Sequence, residues 1–438
     1  MKKQTGTLEP SAIGLTNPSR RQFIKKTAVA AAIIAAPSIL TRSASAAVRP
    51  IKIGLPSPQT GPLADFAEAD NFVLTSIRKI VANGIMVNGV NHPVQIIVKD
   101  TRSDANRAAE VAASLIKTDN VDLMVVSDTP ENINPVADQC ELNGVPCISN
   151  GCPWQVFYFG RGAKPDKGFD WTYHYFWGIE DLFAVYTNLW NSIPTNKAVG
   201  ALWPNDNDGN ATSDKVHGEP PYLASRGFSV IDPGRFDTMT NDFSAQISKF
   251  KQGKVEIITG VIPPPAFNTF WSQAAQQGFK PKIVTVAKAA LFPAAVQSYG
   301  PRGLGLSTEV WWSNFSPFKS SLTGQSSGEL CAQWERESGK QWTPAVGFRH
   351  SLFEIALDVL KRTKNISSPE SIRDALQATD LAAITGHVKF GNPVKNVSKT
   401  PLVGGQWVRG KKYEYDLMIV NNETFKGIPT QMTLKPLS

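Results

Sequence analysis

The chain alternates short apolar segments with amphipathic segments from residue 51 onward. IKIGL (51–55), VQIIVKD (94–100) and DLMVV (122–126) have the length and composition of buried strands. Residues 64–83 and 104–117 lie between them and place apolar residues on one face of a helix. A strand–helix alternation of this kind predicts a parallel sheet flanked by helices.

The same alternation continues and then starts again in the second half of the chain. Further helices are predicted at 132–142, 180–192, 241–252, 266–277, 322–338, 344–364 and 369–378. Further strands are predicted at 145–149, 198–203, 228–232, 255–260, 282–287 and 304–312, and strands with turns at 385–427. These units are too many for one sheet. We therefore predict an α/β fold with two doubly wound, Rossmann-like lobes.

The first 46 residues have the organisation of an export signal. A basic cluster (20–26) precedes an apolar run (27–40), and Ala44-Ser45-Ala46 supplies a cleavage site of the small-x-small type. The apolar run is shorter than the roughly 20 residues that span a membrane. SRRQFIK (19–25) resembles the twin-arginine export signal. We expect cleavage near Ala46 and a periplasmic location.

The charge of the chain falls once this signal is set aside. The formal net charge is +8, and residues 1–46 contain seven basic residues and one acidic residue. The remainder carries about +2 and has no long basic stripe, which argues against nucleic-acid binding. The remainder also lacks a second apolar span of membrane length, so we expect a protein that does not cross the membrane.

Several stretches resemble one known family. IKIG (51–54) followed by TGP (60–62), ANRAAEVAASLIKTDNVDLMVV (105–126) and NPVADQCELNGVPCIS (134–149) are similar to the periplasmic leucine/isoleucine/valine-binding proteins. These are the solute receptors of branched-chain amino-acid-type ABC importers, and the resemblance extends over most of residues 50–400. It implies the type I periplasmic binding protein fold, whose two lobes are joined by hinge crossings.

The resemblance also implies how the lobes divide the sequence. Lobe 1 would comprise 48–177 and return at 310–385, while lobe 2 would comprise 178–309 and carry the C-terminal segment 386–438. A solute bound between the lobes would stabilise a closed form that an inner-membrane permease recognises. We expect a monomer that carries no cofactor.

The ligand positions of the family are only partly kept. Its amino-acid binders hold the ligand carboxylate through loops after the third and fourth strands, and Pro153 stands where the resemblance implies a threonine hydroxyl. Proline has no donor to offer. The acidic residue that pairs with the ligand ammonium should follow strand 282–287, where this chain has Lys288. These departures favour a small carboxylate with an apolar or aromatic body over an α-amino acid.

The residues expected to contact the ligand come from loops beyond the carboxyl ends of the strands, where open α/β sheets bind ligands. They are Thr60, Phe66, Ser127, Asp128, Thr129, Pro130, Gly151, Cys152, Pro153, Trp154, Trp177, Asp208, Pro263, Lys288 and Trp311. Core or hinge packing is an equal alternative for each tryptophan. Lys288 could also be a solvated surface lysine.

Other functions have weaker support. The five histidines are scattered without metal-binding spacing, and no nucleophile elbow or nucleotide-binding loop occurs. We therefore expect neither an enzyme nor a metal site. Branched-chain or other amino-acid binding, an exported oxidoreductase and a ligand sensor for a membrane receptor remain the alternatives.

Three of the four cysteines lie close together in the sequence. Cys140 falls on a predicted helix, Cys147 at the start of a strand and Cys152 in the following loop. Three separate environments argue against a shared metal. A disulfide between Cys140 and Cys147 would be permitted after export, and the sequence leaves it open.

Overall fold

The computed structural model describes residues 48–437. The predicted export signal at 1–46 lies outside the described residues. None of the helices within 48–437 combines the length and the apolar character that crossing a membrane requires.

The described chain contains both kinds of element in alternation. Its strands are β1 (Ile51–Ser57), β2 (Ile85–Val87), β3 (Val90–His92), β4 (Val94–Asp100), β5 (Leu123–Ser127), β6 (Cys147–Asn150), β7 (Thr172–Tyr175), β8 (Ala198–Leu202), β9 (Ser229–Ile231), β10 (Ile257–Ile262), β11 (Ile283–Lys288), β12 (Ser307–Val310), β13 (Asp380–Ala383), β14 (Gly386–Lys389), β15 (Val397–Ser398), β16 (Val403–Arg409) and β17 (Tyr415–Asn421). Its α-helices are α1 (Asp70–Ile80), α2 (Ala105–Lys117), α3 (Pro130–Asn143), α4 (Trp154–Tyr158), α5 (Ile179–Asn191), α6 (Asn207–Thr212), α7 (Glu219–Ala224), α8 (Ser244–Gln252), α9 (Pro264–Gln276), α10 (Pro293–Ser298), α11 (Ser327–Ser338), α12 (Pro344–Arg362) and α13 (Pro369–Gln377).

These strands form two main sheets. The first has the order β15-β7-β6-β5-β1-β4 and is parallel throughout. The second has the order β17-β16-β12-β11-β10-β8-β9; it is parallel from β9 to β12 and antiparallel at β16 and β17. The inner strands are almost wholly buried, as expected for parallel sheets covered by helices on both faces. The predicted α/β fold with two doubly wound units is confirmed.

The chain passes between the two sheets three times. It leaves the first sheet after β7, returns to it after β12 and leaves it again after β15. The ammonium of Lys399, in the third crossing, forms ion pairs of 2.7 Å with Glu180 and with Asp181, which directly follow the first crossing. Two of the crossings are therefore held side by side.

Several elements differ from their predicted bounds. The predicted helix at 64–83 begins as a 3₁₀ turn at Ala64–Ala67, and regular α-helix starts only at Asp70. The predicted strand at 304–312 is limited to β12. The segment 386–438, expected wholly on the second lobe, contributes β15 to the first sheet through pairing with β7. A strand of two residues is too short to produce a periodic pattern, so the sequence could not reveal it.

Helix α12 returns to the first sheet and is buried along almost its whole length. Its Arg349 lies with Nε 2.6 Å from Asp70 Oδ1, and both side chains are almost fully buried. Arg349 Nη2 also donates to the backbone oxygens of Phe66 and Ser127 at 3.4 and 3.2 Å. The returning helix therefore holds the loops that follow β1 and β5 in place.

Candidate functional site

A cavity lies between the two sheets, at the carboxyl ends of their parallel strands. It is lined by Phe66, Thr129, Gly151, Pro153, Trp177, Leu182, Asp208, Thr212, Val261, Ala287, Lys288, Leu291, Glu309 and Trp311. Its volume is about 30 Å³, enough for one or two water molecules. We call this space the central cavity.

Eight of the fifteen predicted ligand residues line the central cavity. They are Phe66, Thr129, Gly151, Pro153, Trp177, Asp208, Lys288 and Trp311. The structure therefore brings these eight together from distant parts of the sequence, and their contact with a ligand stays a prediction.

The other seven predicted residues do not line the cavity. Thr60 is exposed, and its Oγ1 donates to Asp100 Oδ2 at 2.7 Å. Ser127 Oγ donates to Asn150 Oδ1 at 2.6 Å, and the Cys152 carbonyl accepts from His174 Nε2 at 2.8 Å. Trp154 faces a different groove, described below. The other three, each buried, are Asp128, Pro130 at the first position of α3, and Pro263 at the start of α9.

Lys288 is a buried cation rather than a solvated surface lysine. Its side chain is 7% exposed, and Nζ lies 2.7 Å from Asp208 Oδ2 and 3.6 Å from Asp206 Oδ2. Burial acts to lower the pKa of Lys288, but the carboxylates of Asp206 and Asp208 outweigh burial and hold that pKa well above its usual value. The alternative of a solvated surface lysine is therefore wrong; Lys288 lines the cavity with two carboxylate partners, and its contact with a ligand stays a prediction.

The backbone at Lys288 is also unusual. Its φ of 63° lies in the left-handed region, which costs a residue with a Cβ on the order of 1 kcal/mol. This conformation occurs at the last residue of β11, where the chain leaves the sheet beside the cavity. Strain of this kind persists only where the surrounding structure holds it, here through the ion pairs with Asp206 and Asp208.

Two buried polar atoms around the cavity, Thr129 Oγ1 and Trp177 Nε1, have no hydrogen-bond partner among the described residues. Trp311 Nε1 has no well-aligned partner either, but its N–H group interacts with the Glu309 carboxylate. Buried donors are normally satisfied, and leaving one unpaired costs roughly 1–3 kcal/mol. The Trp177 N–H group and the Thr129 hydroxyl are thus available to a molecule with acceptor atoms, and the Trp311 N–H group is shared with Glu309.

Aromatic rings form much of the wall. Phe66, which follows β1 of the first sheet, meets Phe292, which follows β11 of the second. The two rings pack edge to face with centroids 4.9 Å apart. Trp311 lies 6.2 Å from Phe66 and 4.9 Å from Phe176, measured between ring centroids. Such pairs are favourable beyond their buried area and present rigid apolar surface.

Glu309 is the main cavity residue that the sequence analysis missed. Burial raises the pKa of this carboxyl, although hydrogen bonds donated by Tyr186 at 2.7 Å and Thr308 at 3.0 Å, and the indole N–H of Trp311, oppose the effect. The sequence did contain a signal for Glu309: this residue lies near the end of a strand, two positions before Trp311, which was predicted to contact the ligand. The other missed residues (Leu182, Thr212, Val261, Ala287 and Leu291) are ordinary core types, and nothing in the sequence distinguishes them.

One hydrogen bond joins the loops of the two sheets beside the cavity. The backbone N–H of Asn207, at the start of α6, donates to Glu131 Oε1 on α3 at 3.1 Å. Asp208, next along α6, holds Lys288. The first sheet is therefore connected to the buried ion pairs of the second through α6.

Within residues 48–437 no cluster of three histidine, cysteine or carboxylate side chains could hold a metal ion. All four cysteines are free and buried. Burial and the neighbouring thiol of Cys147 raise the pKa of Cys140 well above its usual value. Cys152 is buried and does not line the central cavity, which corrects its expected role as a cleft residue.

Comparison with known proteins adds a family to this geometry. A family model described as periplasmic binding protein matches residues 50–411. The chain belongs to this family. Its members are extracytoplasmic solute-binding proteins of the kind that serve ABC transporters, so this periplasmic binding protein is not an enzyme. The predicted resemblance to the branched-chain amino-acid-type receptors is confirmed.

Three solved structures show the same fold at low sequence identity. The branched-chain amino acid transporter substrate-binding protein of Streptococcus pneumoniae, in complex with isoleucine, has a TM-score of 0.64 at 16% identity, over 85% of this chain and 99% of its own. A solute-binding protein of Rhodopseudomonas palustris in complex with 3,4-dihydroxybenzoic acid has a TM-score of 0.68 at 16% identity, over 86% and 98%. Another solute-binding protein from R. palustris, in complex with 4-hydroxybenzoate, has a TM-score of 0.67 at 15% identity, over 86% of this chain and 98% of its own.

Gly151 permits the close approach of two loops at the cavity, and this generates a prediction. Its φ is 115°, and a Cβ there would lie 2.3 Å from the backbone oxygen of Asp128. Gly151→Ala should destabilise the protein by roughly 2–4 kcal/mol, because strain and collision add. Urea unfolding measures the change.

Gly162→Ala is the matched control. Gly162 also has a positive φ, 75°, but a Cβ there would meet nothing within 4 Å. The Gly162→Ala substitution should lower the free energy of unfolding only by the strain of a positive φ, on the order of 1 kcal/mol. Equal losses for the two variants would contradict the close approach at Gly151.

Proposed function

We propose that this protein is the receptor of an ABC importer and traps a small carboxylate with an apolar or aromatic body between its two lobes. The observation that carries the proposal is the pair of unpartnered donors at Thr129 and Trp177, placed with the Trp311 N–H group around a cavity with aromatic walls. A carboxylate accepts several hydrogen bonds and suits such a set. The aromatic body would pack against Phe66 and Trp311.

The charges of the cavity can accommodate an anion through proton uptake. Lys288 provides the positive charge, but Asp208 already occupies its near side at 2.7 Å. Burial raises the pKa of Asp208 above its usual value, and Lys288 opposes this only in part. Protonation of Asp208 is therefore inexpensive and would release Lys288 to meet a solute carboxylate.

The proposed mechanism is hinge closure. A volume of about 30 Å³ admits no benzene ring, so the solute would enter while the lobes are apart, and the lobes would close around it less tightly than in this structure. We propose that lobe 1 consists of 48–177 and 310–385, and lobe 2 of 178–309 with most of the C-terminal segment. A solute that contacts both lobes stabilises the closed form, and an inner-membrane permease would recognise that form.

Location and assembly are proposed from the sequence. The twin-arginine motif at 19–25 supports export, with cleavage near Ala46, and a periplasmic location. We propose a monomer, because binding and closure need a single chain.

A second candidate ligand is an α-amino acid. Asp208 and Glu309 both line the cavity, so the absence of an acid at position 288 does not leave an ammonium group without a partner. The complex of the S. pneumoniae protein with isoleucine is a precedent within the fold. The two R. palustris complexes are precedents for the aromatic acids.

A thermal-shift screen tests the ligand class. Benzoate, 4-hydroxybenzoate and phenylacetate should stabilise the protein, by about 3 kcal/mol at a concentration 100-fold above Kd. Leucine, isoleucine and valine should have little effect. Tight binding of the amino acids without any effect of the carboxylates would refute the proposed ligand.

Substitution of single tryptophans by phenylalanine locates the binding. Trp177→Phe and Trp311→Phe each remove one indole N–H and keep an aromatic ring. Each should weaken carboxylate binding about tenfold, since a hydrogen bond to a charged group contributes roughly 1.5 kcal/mol or more. The control is Trp171→Phe, because Trp171 lies away from the cavity, against Gly144 and Arg373. Equal effects in all three variants would contradict the site.

The sign of the pH dependence separates the two ligand classes. Asp208 faces Lys288, Asp206 and Glu131. A carboxylate solute raises the pKa of Asp208 further, so binding takes up a proton and affinity should rise as pH falls through neutrality. An ammonium group lowers that pKa, so affinity would instead rise with pH.

Calorimetry in buffers across neutral pH measures this dependence. Asp208→Asn is the control, because it removes the titrating group and should flatten the profile. Burial also raises the pKa of Asp128, to about 7. The pH profile of Asp128→Asn should therefore be measured beside that of Asp208→Asn, to separate the two carboxyls. An affinity for benzoate that increases with pH in the wild type would contradict the proposed role of Asp208.

A further inference from the structure

A large groove lies beside the central cavity, between elements of the two lobes. Its volume is about 920 Å³, within the range of small-molecule sites. One wall is α4, and the other is formed by α5, α6, α7 and the loop at 213–218. The apolar part of the lining includes Trp154, Phe159, Phe183, Ala211, Val216 and Tyr222. We call this space the side groove.

The partition between the side groove and the central cavity is thin. On α6, Asn207, Asn210 and Ala211 face the groove, while Asp208 and Thr212 face the cavity. On the opposite side, Pro153 lines the cavity and the adjacent Trp154 lines the groove. The partition therefore consists of the short helix α6, the residues Pro153 and Trp154, and α5, on which Leu182 lines the cavity and Phe183 the groove.

The partition is made from both lobes. Helix α6 follows β8 of the second sheet, whereas Pro153 and Trp154 follow β6 of the first. The hydrogen bond from Asn207 N–H to Glu131 joins the two sides. Parting of the lobes would therefore draw α6 away from Pro153 and Trp154 and join the two spaces.

The chemistry of the side groove suits an apolar occupant rather than an ion. Glu180, a carboxylate of its lining, is neutralised by Lys399 at 2.7 Å and also accepts a hydrogen bond from Gln155. Asp214 accepts the backbone N–H groups of Val216 and His217 at 2.9 and 2.6 Å. Apolar side chains remain available: Phe159 is 49% exposed and Val216 71% exposed.

We propose that the side groove receives an extended alkyl or aryl substituent of the solute, whose carboxylate lies in the central cavity. This inference rests on the proposed function, and it deepens it: the central cavity leaves no room for a substituent beyond the ring, while the adjoining space is large and apolar. The substituent passes between α6 and Pro153–Trp154, where it replaces the bond from Asn207 to Glu131. Longer carboxylates therefore bind more tightly than benzoate.

Titration calorimetry of the protein with benzoate, 4-butylbenzoate and 4-hexylbenzoate tests the proposal. Each added methylene should increase affinity about three- to fourfold, because a buried methylene contributes roughly 0.8 kcal/mol. Ala211→Phe fills the groove from α6 and should abolish this gain while benzoate binding stays the same. The matched control is Ala224→Phe, an exposed alanine on the short helix α7 that does not line the groove.

A second variant keeps the proposal testable if Ala211→Phe does not fold. Val216→Asp changes a mostly exposed side chain of the groove and should reduce the gain from the alkyl chain without affecting benzoate. Benzoate binding with no gain from the chain, or an equal gain in Ala211→Phe and the wild type, overturns the inference and leaves the proposed function intact. Binding of none of the three carboxylates overturns both.

Discussion

The buried ammonium of Lys288 is the charge around which the cleft is organised. A cation inside a protein must be neutralised by carboxylates or lose its proton, and here Asp206 and Asp208 neutralise it. Both aspartates lie at the start of α6, so the ion pairs fix that helix against the end of β11. The left-handed backbone of Lys288 is tolerated because these contacts hold it. The helix in turn positions Asn207 against Glu131 of the opposite sheet.

A second buried cation organises the other side of the cleft. Arg349 on α12 is paired with Asp70 and donates to the loops after β1 and β5. Neither cation has to contact a solute to matter, because each fixes the backbone that carries Phe66, Thr129 or Asp208. The unpartnered donors of the cavity are therefore presented from loops that are already ordered, which reduces the entropy lost on binding.

The alternation of apolar and amphipathic segments was sufficient to predict both sheets and the edge where the loops converge. It could not show which loop residues face inward: Thr60 bonds Asp100 instead, and Cys152 and Trp154 turn away from the central cavity. Such orientations depend on the path of a few loop residues, which carry no periodicity. The partners of Lys288 were hidden for a similar reason, because Asp206 and Asp208 lie some 80 residues away in the sequence.

Pulsed electron–electron spin resonance tests the central claim, closure of two lobes around a solute, most directly. Spin labels at Gln59→Cys and Met239→Cys would report the distance between the lobes, since both positions are exposed and all four native cysteines are buried. We predict a broad or long distance distribution without solute and a shift to a single shorter distance when a binding carboxylate is added. An unchanged distribution in the presence of a bound solute would contradict the account.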